Sequence, residues 1–148
     1  MLARIRKSME EKDQGFTLIE LLVVMIIIGI LAAIAIPVFL NQRAKARDTS
    51  TKADVSTLGK EVATYFVDGT GTLTATQAGG AGTDITLGDG AATNPYTTVI
   101  KVSNGTTLGT GKNLNSSTTW CVALSNANGS VKNYYYSAAA GLNAGTCP

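Results

Sequence analysis

An uninterrupted apolar run dominates the hydrophobic pattern of the chain. No Asp, Glu, Lys or Arg occurs from Leu21 to Leu40. The hydrocarbon core of a bilayer is spanned by about 20 apolar residues in a helix. The run therefore predicts a helix that enters a membrane. Glu20 lies at its edge, where an ionised side chain is costly unless a partner in the same chain or in another chain satisfies it.

The segment before the run has the character of a targeting leader. Residues 1–15 carry both signs of charge and no apolar periodicity long enough to pack against another element. We expect this leader to stay in the cytoplasm. The small residues around Ala33-Ile34-Ala35 also fit an ordinary signal cleavage site, which leaves conventional secretion as the alternative.

An amphipathic pattern replaces the apolar run from residue 41 to residue 68. Charged residues are interleaved with apolar ones at spacings that place the apolar side chains on one helical face, namely Val55, Leu58, Val62, Tyr65 and Phe66. Asp68-Gly69 offers a stop, because glycine suits the left-handed cap. We predict one helix from Phe16 to about Asp68.

The remaining residues, 69–148, have the pattern of a small β domain. A stretch rich in Gly, Thr and Ala predicts a long loop over 69–94, with a short strand near Ile85 to Leu87. Three strand-like runs follow, with Asn128-Gly129 as a hairpin signal between the last two: Thr97 to Ser103, Thr119 to Ser125 and Lys132 to Ala138. We expect an α+β fold in which the long N-terminal helix packs on a three- or four-stranded antiparallel sheet.

The two cysteines, Cys121 and Cys147, both lie in this β domain. An even pair in a chain with an export signal predicts a disulfide formed in an oxidising exterior. A zinc site is the weaker alternative, because the chain has no His and two cysteines supply only half of a tetrahedral set. We expect no metal and no cofactor.

Charge and residue types argue against nucleic-acid binding and catalysis. Residues 69–148 hold five charged side chains: Asp84, Asp89, Lys101, Lys112 and Lys132. They form no basic patch able to neutralise several phosphates, so a direct nucleic-acid site is not expected. With no His and no nucleophile elbow, the sequence predicts a protein that is not an enzyme.

A family resemblance is carried by Gly15-Phe16-Thr17-Leu18-Ile19-Glu20 and the apolar residues after it. This segment resembles the class III signal of type IV pilins and of the related pseudopilins. The similarity covers residues 13–45, and beyond it only the layout agrees with the family. The resemblance implies the pilin fold, in which the N-terminal helix survives export as a structural part.

The resemblance also implies roles for individual residues. A prepilin peptidase would cut after Gly15 and methylate the new amine of Phe16. Glu20 would pair with the amine of Phe16 in a neighbouring subunit, with Thr17 part of the same pairing site. Gly29 and Pro37 bound the weakest part of the helix, since proline costs about 3 kcal/mol in a helix interior. In filaments of the family this stretch is thought to lose helical structure; a simple kink is the alternative.

Pattern and resemblance together predict four parts: a cleaved leader 1–15, a transmembrane or filament-core helix 16–40, an amphipathic helix 41–68 and a globular domain 69–148. They imply a structural subunit of a type IV pilus, and they leave open whether the fibre serves twitching motility, adhesion, DNA uptake or secretion. The implied partners are further copies of the chain, prepilin peptidase, an assembly platform protein, assembly ATPases and membrane lipid. The subunit would be a single-pass membrane protein with its C-terminal domain outside, and extracellular after assembly. A secretion pseudopilin, a competence pilin and a membrane-anchored binding domain that never assembles are the alternatives.

Overall fold

The computed structural model describes residues 15–148 and contains one helix and seven strands. Helix α1 spans Leu18–Asp68. The strands are β1 Thr74–Thr76, β2 Ile85–Gly88, β3 Thr97–Ile100, β4 Thr106–Leu108, β5 Cys121–Asn126, β6 Asn133–Ser137 and β7 Gly141–Ala144. The predicted α+β class and the single long helix are confirmed. Residues 1–14 of the predicted leader lie outside the described residues.

The contacts within the chain divide it after Leu40 into two compact units. In the first unit, each large apolar side chain from Leu18 to Leu40 keeps between 46% and 83% of its surface exposed. The helix here is long and apolar enough to cross a membrane by length and composition. It continues through Gly29 and Pro37 without interruption. None of these large apolar residues is therefore buried by the chain itself.

The second unit contains two antiparallel sheets. Sheet A has the order β1-β2-β3, and sheet B has the order β4-β5-β6-β7. The short strand predicted near Ile85 to Leu87 is confirmed as β2, which pairs with β3. The rest of the predicted loop over 69–94 is wrong in part, because β1 lies within it and pairs with β2. Strand β1 is only three residues long, and a stretch that short shows too few alternations to be recognised among Gly and Thr residues.

The apolar face of α1 forms the centre of the second unit's core. Val55, Leu58 and Val62 are fully buried, and Tyr65 is nearly so. They pack with residues of both sheets, which include Ile85, Leu87, Val122 and Leu124. The predicted apolar face of the amphipathic segment is confirmed. Because the same face meets both sheets, the helix organises the whole unit.

Two buried aspartates on α1 anchor turns of the β domain. Asp48 is 7% exposed, and its carboxylate accepts hydrogen bonds from the backbone N–H groups of Ser130 at 3.1 Å and Val131 at 3.2 Å. Asp54 is 9% exposed and accepts from the N–H of Ser103 at 2.8 Å and the hydroxyl of Thr106 at 3.1 Å. Buried carboxylates are tolerated when hydrogen bonds replace water in this way.

Asp48 also explains the shape of the hairpin between β5 and β6. The predicted hairpin forms, and its connection is the six-residue loop 127–132, which contains Asn128-Gly129. Gly129 lies against the Asp48 carboxylate, where any side chain would collide with it. The loop folds around the carboxylate. Burial, and then the negative charge of Asp48, raise the pKa of the neighbouring Tyr134.

Gln77 joins the two sheets through its side-chain amide. Its Nε2 donates to the carbonyl oxygens of Thr83 at 2.8 Å and Thr106 at 3.1 Å, and its Oε1 accepts from the N–H of Leu108 at 2.7 Å. The amide thus pairs with β4 as a neighbouring strand would. Together with the N–H of Gly82, which also donates to the Thr106 carbonyl oxygen at 2.7 Å, it satisfies backbone groups on the edge of sheet B.

The C-terminal tail is fixed by the predicted disulfide. Cys121, the first residue of β5, is bonded to Cys147, and their Cα atoms are 5.8 Å apart. Strand β6 carries three successive tyrosines. Tyr134 is buried in the core, and Tyr136, two positions on, packs against the core and stacks on Trp120 with ring centroids 5.8 Å apart. Tyr135 between them is half-buried. Tyr136 also packs directly against Gly59 of α1.

The contact at Gly59 generates a stability prediction. A Cβ at this position would collide with Cγ of Tyr136. We expect Gly59→Ala to lower the free energy of unfolding by about 1–3 kcal/mol, although alanine raises helix propensity by about 1 kcal/mol. Denaturation of the full chain in detergent, followed by fluorescence of the single tryptophan Trp120, measures this. Gly29→Ala is the control, because a Cβ there meets nothing within 4 Å; equal effects of the two substitutions would refute the packing argument.

The anchoring role of Asp48 generates a second prediction. Asp48→Ala removes the acceptor for two backbone N–H groups, so we expect a loss of about 1–3 kcal/mol in the free energy of unfolding. The same Trp120 assay measures it. Asp84→Ala removes an exposed acid from the same unit and serves as the control. The account of the loop is wrong if the two variants unfold alike.

Candidate assembly site at the start of the helix

The start of α1 is closed by a reciprocal pair of hydrogen bonds between Thr17 and Glu20. Thr17 precedes the first helical residue, Leu18. The Glu20 carboxylate accepts from the backbone N–H of Thr17 at 2.8 Å, and the Thr17 hydroxyl oxygen accepts from the N–H of Glu20 at 3.3 Å. This arrangement is a capping box, in which each residue satisfies a backbone donor that the helix leaves free.

The Thr17 hydroxyl strengthens the pairing by donating to the same carboxylate oxygen. The distance from Thr17 Oγ1 to Glu20 Oε2 is 2.7 Å. The negative charge also lies in the first turn of the helix, where the helix dipole favours it. Glu20 therefore has a partner within its own chain, which is one of the two sources that the sequence left open.

The surroundings of Glu20 are open and apolar. Phe16 is 88% exposed and Leu18 is 83% exposed. An open groove of about 590 Å³ lies on this side of the helix. It is lined by Phe16, Glu20 and four aliphatic side chains, Ile19, Leu21, Val23 and Val24. The capped carboxylate of Glu20 therefore lies beside a large apolar surface that the chain leaves uncovered.

The predicted site residues fall into three places. Gly15 and Phe16 lie before the helix, so the peptide bond between them is outside regular structure. Thr17 and Glu20 are brought together at the cap. Gly29 and Pro37 lie inside the continuous helix of the single chain. Cleavage, methylation, pairing between subunits and loss of helix at Gly29 to Pro37 stay predictions.

The sequence also carries a local signal for the intramolecular contact of Thr17 and Glu20. Thr-x-x-Glu immediately before an apolar run is the signature of a capping box. The family resemblance points instead to pairing of both residues between subunits. The geometry adds a role that operates in the single chain.

The N-terminal segment matches one family model. Residues 12–36 match the prokaryotic N-terminal methylation motif. This range includes Gly15, Phe16, Thr17 and Glu20, and most of the apolar run. The match supports the class III signal that the sequence predicts.

Several curated proteins are similar to the same part of the chain. The type IV major pilin protein PilA of Myxococcus xanthus is 44% identical over 55 residues, which cover 37% of this chain and 25% of that protein. The type IV major fimbrial protein FimA of Dichelobacter nodosus is 41% identical over 61 residues, 41% of this chain and 39% of that protein. The type II secretion system core protein G of Dickeya chrysanthemi is 33% identical over 73 residues, 49% of this chain and 48% of that protein.

These relatives share less than half of their length with the chain. No solved structure matches it significantly. The class supported by the motif, the relatives and the α+β fold is the type IV pilins. The names of these relatives describe components of pili, fimbriae or a secretion system, which is in keeping with a structural protein.

The capping box generates a prediction for the start of the helix. Thr17→Val removes the hydroxyl that both accepts from the N–H of Glu20 and donates to its carboxylate. We expect amide hydrogen exchange at residues 18–21 to become about fivefold faster, the effect of losing a typical N-cap. NMR of the full chain in detergent micelles measures it.

Thr17→Ser is the matched control because it keeps the hydroxyl. Protection at residues 18–21 should then stay near that of the unmodified chain. Unchanged protection in Thr17→Val would show that the hydrogen bonds at 2.7 and 3.3 Å do not hold the helix start.

Proposed function

We propose that the chain is the structural subunit of a type IV pilus, held in the membrane by its apolar helix until it polymerises. One observation carries the proposal. Large apolar side chains from Leu18 to Leu40 stay uncovered in a helix that continues directly into a folded unit. Such a surface must be covered by lipid or by other copies of itself. The methylation motif and the similarity to pilins support burial by other copies of the chain as the final state.

Processing would convert the start of the chain into a charged pairing site. Cleavage between Gly15 and Phe16 by a prepilin peptidase creates a positive amine, which the same enzyme would methylate. Opposite charges attract strongly only when water is excluded between them. Glu20 of one subunit would accept the amine of Phe16 from the next, so that each copy contributes one charge of each sign.

This pairing acts as an alignment device. Aliphatic side chains along Leu21 to Leu40 are interchangeable in their contacts, so they do not by themselves select one register between two helices. A buried charge without its partner is strongly unfavourable, so only the register that joins amine and carboxylate is stable. Before assembly Thr17 satisfies the carboxylate, and the incoming amine would replace or join it.

The partners follow from this scheme. A membrane platform protein and cytoplasmic ATPases would supply the work of lifting the subunit from the bilayer. The leader would stay inside, and the disulfide between Cys121 and Cys147 suits an outer location for the C-terminal unit.

A secretion pseudopilin is the second candidate. The observation that favours it is the similarity to type II secretion system core protein G of Dickeya chrysanthemi. As a pseudopilin, the chain would still assemble by burying its apolar helix against other copies, but the fibre would be short and would serve secretion. Surface fibres that are lost when the chain is deleted favour the pilus, whereas loss of protein secretion without loss of surface fibres favours the pseudopilin.

The charge of Glu20 provides the test of assembly. We expect Glu20→Val and Glu20→Gln to insert in the membrane but to form either no fibres or fibres of altered helical register. Glutamine keeps the size and an acceptor oxygen and removes only the charge, so it isolates the electrostatic part. Electron microscopy of cells, with membrane fractionation of the same culture, measures both steps.

Asp84→Asn is the control, since it neutralises an exposed acid in the β domain. It should leave fibres unchanged in number and register. Normal fibres from Glu20→Gln would mean that subunits are aligned by something other than this charge.

A further inference from the structure

Positive charge is concentrated at the start of the second unit. Segment 41–47 contains Arg43, Lys45 and Arg47 and no acidic residue. These are the first charged side chains after the apolar run, which ends at Leu40. Arg43 and Lys45 are exposed, and Arg47 is half-buried.

The next acid in the chain is turned away from this cluster's surface. Asp48 follows Arg47 directly, but its carboxylate accepts hydrogen bonds from the N–H groups of Ser130 and Val131 and is 7% exposed. An exposed acid at this position would form ion pairs on the helix surface. The three cations of segment 41–47 are therefore followed in the chain by a buried acid rather than an exposed one.

The loop that Asp48 holds adds a fourth cation. The hydrogen bonds to Ser130 and Val131 place the loop beside this part of α1, and Arg47 Nη1 lies 3.5 Å from the carbonyl oxygen of Asn128. Lys132 is exposed, with a φ of 71°, a value at which a side chain is disfavoured. Beside it Val131 is 48% exposed. We call Arg43, Lys45, Arg47 and Lys132 the basic collar.

We propose that the basic collar binds the phosphate groups of anionic phospholipids at the membrane surface. The inference rests on the proposed function, because it requires the apolar run to lie in the bilayer. Cations that directly follow the end of a spanning helix lie at headgroup depth, and their long stems let the charged ends reach the phosphates. Val131 supplies an apolar side chain to the same interface.

Lipid selectivity measures this binding. The full chain is placed in vesicles of phosphatidylcholine and phosphatidylglycerol that contain a trace of either lipid with a spin label. Electron spin resonance then gives the fraction of each label whose motion the protein restricts. We expect roughly twofold more restriction of phosphatidylglycerol than of phosphatidylcholine at low salt. The difference should disappear at about 1 M salt, where the Debye length is about 3 Å.

Two triple variants assign the selectivity to the collar. Arg43→Gln/Lys45→Gln/Arg47→Gln should lose a large part of the preference, and Lys132→Gln a smaller part. The control variant Lys60→Gln/Lys101→Gln/Lys112→Gln removes the same number of charges from exposed positions elsewhere. It should keep the preference for phosphatidylglycerol. The leader is identical in every variant, so its own cations cancel from the comparison. Trp120 fluorescence checks that each variant is folded.

The outcomes separate this inference from the proposed function. Equal preference in the two triple variants overturns the collar and leaves the pilus subunit intact. No restricted lipid of either kind means that the chain is not inserted, which contradicts the proposed function itself. Loss of preference confined to the collar variants supports the inference.

Discussion

The rest of the structure depends on one helix whose apolar residues have two different fates. From Leu18 to Leu40 the large apolar side chains are uncovered, whereas Val55, Leu58 and Val62 are fully buried by the β domain. Burial of apolar surface contributes about 25 cal/mol per Å². The second half obtains this within the chain, and the first half obtains it only from lipid or from other copies. Membrane anchoring and polymerisation are two ways to cover the same exposed apolar surface.

Acidic side chains in both halves of the helix accept hydrogen bonds that make them tolerable beside apolar surface. At the start of the helix, Thr17 and Glu20 satisfy each other within a single chain, which makes a carboxylate tolerable at the edge of an apolar segment. In the second unit Asp48 and Asp54 hold turns of the β domain through backbone and hydroxyl donors. The acids near the apolar run are thus either capped or buried, and the exposed charge that follows the run is positive.

Much of this could be predicted from the sequence, because long periodic segments carry strong signals. The extent of α1 and the burial of Val55, Leu58 and Val62 follow from composition and from helical spacing. The sequence predicts β2 but not β1, β4 and β7, since each of these three has three or four residues and its pairing is decided by distant partners. Asp48 illustrates the same limit. Its donors are more than eighty residues away, so no local pattern shows that a charged residue on this helix is buried.

The central claim is that the apolar segment is kept in the mature protein and becomes the interior of a polymer. The most direct test is the intact mass of the polypeptide recovered from fibres sedimented from the cell surface. The account predicts a chain that begins at Phe16, carries one added methyl group and has the disulfide between Cys121 and Cys147. A chain that begins at Ile36, or a processed chain that stays monomeric and never sediments as fibres, would contradict it.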